Sequence, residues 1–116
     1  MCMELIINNN LFNVKCVLTK KDITEGMMYK KFDNTFDGML FFMRDGEHHF
    51  WMKNCVIPLD IIFIKANSIY KIHHNCKPCF TNECDHYSGE GDLVLEVLGG
   101  TCNRYDIKEG DRVYFD

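Results

Sequence analysis

The chain has 116 residues, a formal net charge of −4, a hydrophobic fraction of 47% and a charged fraction of 26%. This length suits one hydrophobic core, and these fractions exclude disordered, collagen-like and coiled-coil chains. The acidic balance argues against nucleic acid as a partner, because nucleic-acid-binding domains carry a strongly basic patch. We therefore predict one globular domain over residues 1–116.

No apolar run approaches the roughly 18 residues that a membrane span requires, and no basic segment followed by a long apolar one begins the chain. We therefore expect no membrane association and a cytoplasmic protein. Seven cysteines are an odd number, so at least one thiol stays unpaired within the chain. We expect most of them to be thiols in a reducing cytosol.

The first elements are two strands and a helix. Alternating apolar residues predict a strand over 12–18, preceded by an edge strand over 3–7. Residues 19–22, Thr-Lys-Lys-Asp, are typical of a capping box, which predicts a short helix that ends near Met28. Gly26 makes this helix a weak one.

Two hairpins are predicted next. Apolar runs at 38–43 and 49–52 flank Asp45-Gly46, and Asp-Gly between such runs is typical of a tight hairpin turn. We predict an antiparallel hairpin over 39–54 that turns there. A second hairpin pairs residues 59–64 with 69–72 and turns at Asn67-Ser68.

The C-terminal third combines a loop with two strands. Residues 73–92 show no apolar periodicity, which predicts a long irregular loop. A strand over 93–98 ends at Gly99-Gly100, and residues 107–115 contain a Gly110-Asp111 turn and a last short strand. The whole pattern predicts a mostly β, single-domain small barrel or sandwich with one or two short helices.

Several sequence strings resemble those of the family called domain of unknown function 192. They occur in the family's order, at 38–41, 50–54, 57–64, Pro78-Cys79, Cys84, Tyr87, Leu95-Glu96 and 107–113. The resemblance implies a small, mostly β single domain of bacteria, archaea and some viruses, often behind a signal peptide, with no assigned activity. This chain departs from the pattern at three positions, where it has Cys55 instead of Thr, no Arg before Gly26-Met27-Met28, and Lys30 instead of Arg.

Asp60 interrupts an otherwise apolar predicted strand. A buried carboxylate costs several kcal/mol, as an order of magnitude, unless it is paired or hydrogen-bonded. Lys53 is the nearest cation in the motif, so we predict an ion pair between them, beside the Asn54 amide. The cluster is either a structural network that fixes the chain near Pro58 or a ligand site.

The first predicted hairpin is rich in aromatic residues, of which about half should face the core. The others are available to stack on a ligand. Our candidate ligand-binding residues combine this surface with the polar cluster: Trp51, Lys53, Asn54, Asp60 and Glu96.

Residues 73–86 are dense in soft ligands: His73, His74, Cys76, Cys79, Cys84 and His86. The Cys76-x-x-Cys79 spacing suits zinc, although the second spaced pair of a typical zinc site is missing. Three interpretations stay open, namely a zinc site formed by Cys76, Cys79 and Cys84, a Cys79–Cys84 disulfide in an oxidising setting, and reduced thiols. Zinc is the one cofactor that the sequence suggests.

The favoured function is a non-enzymatic module that binds a small molecule or a partner protein in an aromatic-lined cleft. One alternative is a hydrolytic or redox enzyme that uses Asp60, Glu96 or the loop cysteines. Another is a structural accessory protein that only contacts a partner.

Overall fold

Seven strands and two short helices lie within residues 2–116, the part of the chain that the computed structural model describes. In chain order the elements are β1 Cys2–Ile7, β2 Asn10–Val17, α1 Lys20–Glu25, β3 Gly38–Trp51, β4 Leu59–Lys65, β5 Ser68–Cys76, β6 His86–Leu98, α2 Thr101–Arg104 and β7 Val113–Phe115. No helix in this described part is long and apolar enough to cross a membrane.

The strands form one sheet in the order β5-β4-β6-β3-β2-β1-β7, with β2 and β3 parallel and the other neighbours antiparallel. The sheet curls until its outermost strands meet at one end, where the Ile69 N–H donates to the Asp111 carbonyl at 2.9 Å and the Val113 N–H to the Asn67 carbonyl at 2.8 Å. The resulting half-barrel is a single compact domain. It confirms the predicted mostly β fold with short helices.

Both faces of the curled sheet are buried. Leu40, Ile62 and Leu95 belong to one apolar cluster, which lies on the face that α2 covers through Cys102. Phe41, Phe63 and other side chains form a second cluster on the opposite face, together with Met27, which follows α1. β4 is buried from Leu59 to Ile64 because it contributes to both clusters.

Several predicted elements are confirmed. The Thr19 hydroxyl caps α1 by accepting from the Asp22 N–H at 3.2 Å, but the helix ends at Glu25, three residues before the predicted Met28. Gly26 follows with a φ of +46°, a backbone conformation that glycine adopts without penalty. The second hairpin also forms, but its turn is Ala66-Asn67, both at positive φ, one residue before the predicted Asn67-Ser68, because Ser68 already pairs with Lys65.

The predicted hairpin over 39–54 is wrong. β3 is one continuous strand that pairs with β6 from Gly38, opposite Val97, to Trp51, opposite His86. The register shifts between Phe42 and Gly46, so Asp45 lies in a β-bulge and Gly46 resumes the pairing opposite Gly91, without a turn. A bulge lets the strand bend and continue, and the long partner strand outweighs the local turn signal.

The loop predicted over 73–92 is also wrong at both ends. β5 continues to Cys76 and β6 begins at His86, which leaves only residues 77–85 irregular. Apolar periodicity is missing from early β6 because two of its positions need glycine. A Cβ at Gly89 would lie 2.5 Å from the Phe63 ring, and one at Gly91 would lie 2.2 Å from the Ile64 carbonyl oxygen.

Gly91→Ala is expected to destabilise the protein by about 3 kcal/mol, because the added methyl group meets backbone that a rotamer change cannot move. Chemical denaturation would measure the loss. Asp92→Ala, at the exposed neighbouring position, is the control and should stay within about 0.5 kcal/mol of the wild type. A neutral Gly91→Ala variant would contradict the close approach of β6 to β4.

Candidate functional site

Asp60 is completely buried and its carboxylate binds backbone amides. Its Oδ1 accepts from the N–H of Asn75 at 2.7 Å and from that of Gly100 at 3.1 Å, while Oδ2 accepts from the N–H of Cys102 at 2.9 Å. These bonds join β4 to the end of β5 and to the start of α2. The partners that the apolar pattern required are therefore three backbone N–H groups.

The predicted ion pair between Asp60 and Lys53 is wrong. The Lys53 ammonium is partly exposed and donates to the Thr81 carbonyl oxygen at 3.0 Å and to the Asn82 side-chain oxygen at 3.3 Å. The prediction relied on the closeness of the two residues in the sequence. In the structure Lys53 follows the end of β3, whereas Asp60 lies inside the sheet.

Asp60 and Glu96 also point to opposite faces of the sheet. In the β4–β6 ladder Asp60 lies opposite Val97, and Ile61 lies opposite Glu96. Residues directly opposite share a face, and successive residues alternate between faces. The predicted polar cluster is therefore divided, and only Glu96 shares its surroundings with Trp51 and Lys53.

Glu96 lines a pocket of about 240 Å³ between α1, the segment that follows it, and β3. An isolated bridge between Met28 and Cys55 joins the segment after α1 to the segment after β3. We call this space the Glu96 pocket. Its other lining residues include Thr24, Glu25, Met27, Met28, Phe41, Met43, His49, Phe50, Trp51, Lys53 and Cys55.

Glu96 is almost completely buried, since only 3% of the residue is exposed. Desolvation raises the pKa of this carboxyl to about 8, so its neutral form predominates at pH 7. Glu96 has no hydrogen-bond or ion-pair partner among residues 2–116. Every side-chain oxygen of residues 2–116 that is fully shielded from solvent has a hydrogen-bond partner. Since the Glu96 carboxyl oxygens have no such partner, they are not fully shielded and open onto the pocket.

Of the other candidate residues, Trp51 and Lys53 line the pocket and Asn54 does not. Trp51 is 39% exposed at the pocket, and the Lys53 ammonium lies 5.8 Å from the centre of its ring. Asn54 acts through its backbone, at a φ of +60°, accepting from the Tyr29 N–H and donating to the Cys79 carbonyl oxygen. It does not line the pocket.

Sequence reasoning missed the pocket residues contributed by the segment after α1 and by Cys55. The doublet Met27-Met28 was visible, but nothing in the sequence placed it against Glu96. Burial and the nearby Glu96 raise the pKa of the Cys55 thiol to about 12. This thiol is therefore protonated and a poor nucleophile at neutral pH.

The three predicted metal ligands are not brought together. Cys79 and Cys84 form a disulfide, and Cys76 is buried with its thiol donating to the His73 carbonyl oxygen at 3.5 Å. Burial raises the pKa of the Cys76 thiol to about 12. Residues 2–116 contain no group of three or more His, Cys, Asp or Glu side chains positioned for a metal, and a zinc site in the reduced protein stays a prediction.

This architecture defines a small β domain with a pocket above one face of its curled sheet. The chain belongs to the family called domain of unknown function 192, described as "Uncharacterized ACR", whose model matches residues 3–115. The resemblance found in the sequence is thereby confirmed.

Two solved structures are similar to this chain. A protein of unknown function from Novosphingobium aromaticivorans is 29% identical, with a TM-score of 0.83 over 97% of this chain and 84% of its own. A Sinorhizobium meliloti protein described as a candidate transcription regulator is 28% identical, with a TM-score of 0.83 over 98% of this chain and 92% of its own. A search among curated proteins found no match.

Proposed function

We propose that this protein is a non-enzymatic module that binds a small molecule in the Glu96 pocket. The observation that carries the proposal is the buried Glu96 carboxyl, which faces the pocket and has no partner within the described chain. Because the carboxyl oxygens are open to the pocket, a ligand or water can bind them there. Desolvation of the carboxylate still costs free energy, and an apolar residue at this position would avoid that cost. A bound ligand would replace water as the partner of these oxygens.

The pocket chemistry indicates the ligand class. A protonated carboxyl offers one O–H donor and one carbonyl acceptor side by side, which matches a group with an adjacent acceptor and donor, such as an amide. The rest of the ligand would pack against apolar walls that include Met27, Phe41 and Met43. A volume of 240 Å³ corresponds to about eight water molecules at liquid density, so the ligand is small.

Binding is favoured over catalysis because the pocket lacks an activated nucleophile. The Cys55 thiol has a pKa of about 12, and the Thr24 hydroxyl donates to the Lys20 carbonyl oxygen at 3.0 Å. A nucleophilic mechanism needs a base within hydrogen-bond reach of the attacking group. Asp60, a candidate base in the enzyme alternative, lies on the other face of the sheet.

A thermal-shift screen of small apolar amides tests the proposal. A compound present at 100 times its dissociation constant should stabilise the protein by about 2.7 kcal/mol. Glu96→Leu should abolish the response, whereas Glu47→Leu, at an exposed position of β3, should retain it. The proposal fails if no amide stabilises the wild type, or if Glu96→Leu responds as strongly as the control.

A further inference from the structure

The Cys79–Cys84 disulfide closes a short ring of residues, which we call the disulfide loop. Both hydrogen-bond acceptors of the Lys53 ammonium lie inside it, namely the Thr81 carbonyl oxygen and the Asn82 side-chain oxygen. The same Lys53 lines the Glu96 pocket. The disulfide loop therefore binds the Lys53 ammonium, a charged group of the Glu96 pocket, although the loop itself does not line that pocket.

Backbone contacts strengthen this connection. The Cys79 N–H donates to the Met52 carbonyl oxygen at 3.1 Å, and the Asn54 N–H donates to the Cys79 carbonyl oxygen at 2.9 Å. These bonds flank Lys53 on both sides, so one half of the disulfide is attached to the segment that carries the lysine. Thr81 is restrained within the ring, because its hydroxyl accepts from the Glu83 N–H at 3.2 Å.

The disulfide is also accessible to a reductant. Cys79 and Cys84 are both partly exposed, whereas Cys55, Cys76 and Cys102 are buried. A thiol reductant needs access to a sulfur atom of the bond that it breaks. Reduction at this end of the molecule would leave the buried thiols unchanged.

We propose that Cys79 and Cys84 form a redox-modification site, and that a dithiol reductant acting there releases Lys53 at the mouth of the Glu96 pocket. One thiolate of the reductant attacks a sulfur of the pair, which forms a mixed disulfide and expels the other cysteine as a thiolate. The second thiol of the reductant then attacks the mixed disulfide and releases the remaining protein cysteine as a thiolate. The protein gains two electrons and two protons as its S–S bond breaks, and the reductant is oxidised to a disulfide.

Opening of the ring removes the restraint on Thr81 and Asn82, so the ammonium no longer has two fixed acceptors. Lys53 is then free to move over the pocket, where it lies near the Trp51 ring. The consequence for ligand binding rests on the proposed function. The release of Lys53 does not depend on any ligand and is measured separately.

The test compares lysine acylation by an N-hydroxysuccinimide acetate before and after reduction with dithiothreitol, with peptide mass spectrometry as the readout. Lys108, which is exposed and pairs with Asp106, is the internal reference. The rate for Lys53 relative to Lys108 should rise about fivefold, the equivalent of one lost net hydrogen bond. Cys79→Ser/Cys84→Ser should show the high rate without reductant, and Cys76→Ser should match the wild type.

An unchanged ratio in protein whose intact mass shows complete reduction would overturn the proposal. Emission of Trp51, the one tryptophan of the chain, gives a second readout at the pocket. It should change on reduction of the wild type but not of Lys53→Met. Equal changes in both proteins would mean that reduction reaches the pocket without Lys53, which also contradicts the proposal.

Discussion

Glu96→Gln should make the protein more stable at pH 7, by on the order of 3 kcal/mol. In the folded protein burial raises the pKa of the Glu96 carboxyl from 4.5 to about 8. Between these two values the unfolded chain loses the proton that the folded protein keeps. Each unit of this difference corresponds to about 1.4 kcal/mol, and pH 7 lies about 2.5 units above the unfolded pKa.

The effect has a defined pH dependence. The folded state binds more protons than the unfolded state from about pH 4.5 to about pH 8, so the contribution of Glu96 to stability decreases as the pH rises through this window and is constant above it. The gain from Glu96→Gln should therefore be small at pH 4 and largest at pH 8. The charged or titratable side chains that share the pocket are Glu25, His49, Lys53 and Cys55.

Urea denaturation of the wild type and Glu96→Gln at pH 4, 6 and 8 measures this dependence. Glu47→Gln is the matched control, because that carboxyl is exposed on β3 and should show no comparable trend. A pH-independent difference between Glu96→Gln and the wild type would show that Glu96 is not a buried neutral acid. A group that is kept for ligand binding often lowers the stability of the folded protein, and a buried acid at the pocket wall is expected to do so.

Asp60→Ala should destabilise the protein by on the order of 4 kcal/mol or more. The substitution leaves the N–H groups of Asn75, Gly100 and Cys102 without their acceptor, and the Cys102 N–H is buried. Each bond to a charged group contributes about 1.5 to 3 kcal/mol. Asp60→Asn should lose less, because its amide keeps one acceptor oxygen. Denaturant unfolding at pH 7 would measure both losses.

Lys53→Ala is the control that separates this network from an ion pair. Its ammonium binds two exposed acceptors, so the loss should stay within about 1 kcal/mol. The losses from Asp60→Ala and Lys53→Ala should add in the double variant, since the two side chains share no partner. Coupling above about 0.5 kcal/mol would contradict the separate surroundings of the two residues.

Local signals in the sequence were sufficient for the elements whose stability is local. The alternation of Phe12, Val14 and Cys16 and the Thr19 cap depend on residues a few positions apart, and both are present in the structure. The strand ends at Val17, so Leu18 lies outside it and is exposed, and the second turn lies one residue before its predicted position. The placement of Asp60 within an apolar strand was also sufficient to predict a buried, partnered carboxylate. The identity of its partners was not predictable, because Asn75, Gly100 and Cys102 come from segments that only the folded sheet brings together.

The sequence by itself determined a mostly β domain, its family, and the polar residues that warranted attention. Only the tertiary structure decided that Asp45 lies in a bulge and not in a turn, because a strand more than 40 residues away continues the pairing from Gly46 onward. Register likewise placed Asp60 and Glu96 on opposite faces, since a shift of one residue exchanges the faces of a strand. The Glu96 pocket forms where this face of the sheet lies against the segment after α1. The position of that segment depends on long-range contacts, such as the bridge between Met28 and Cys55, which local sequence patterns do not encode.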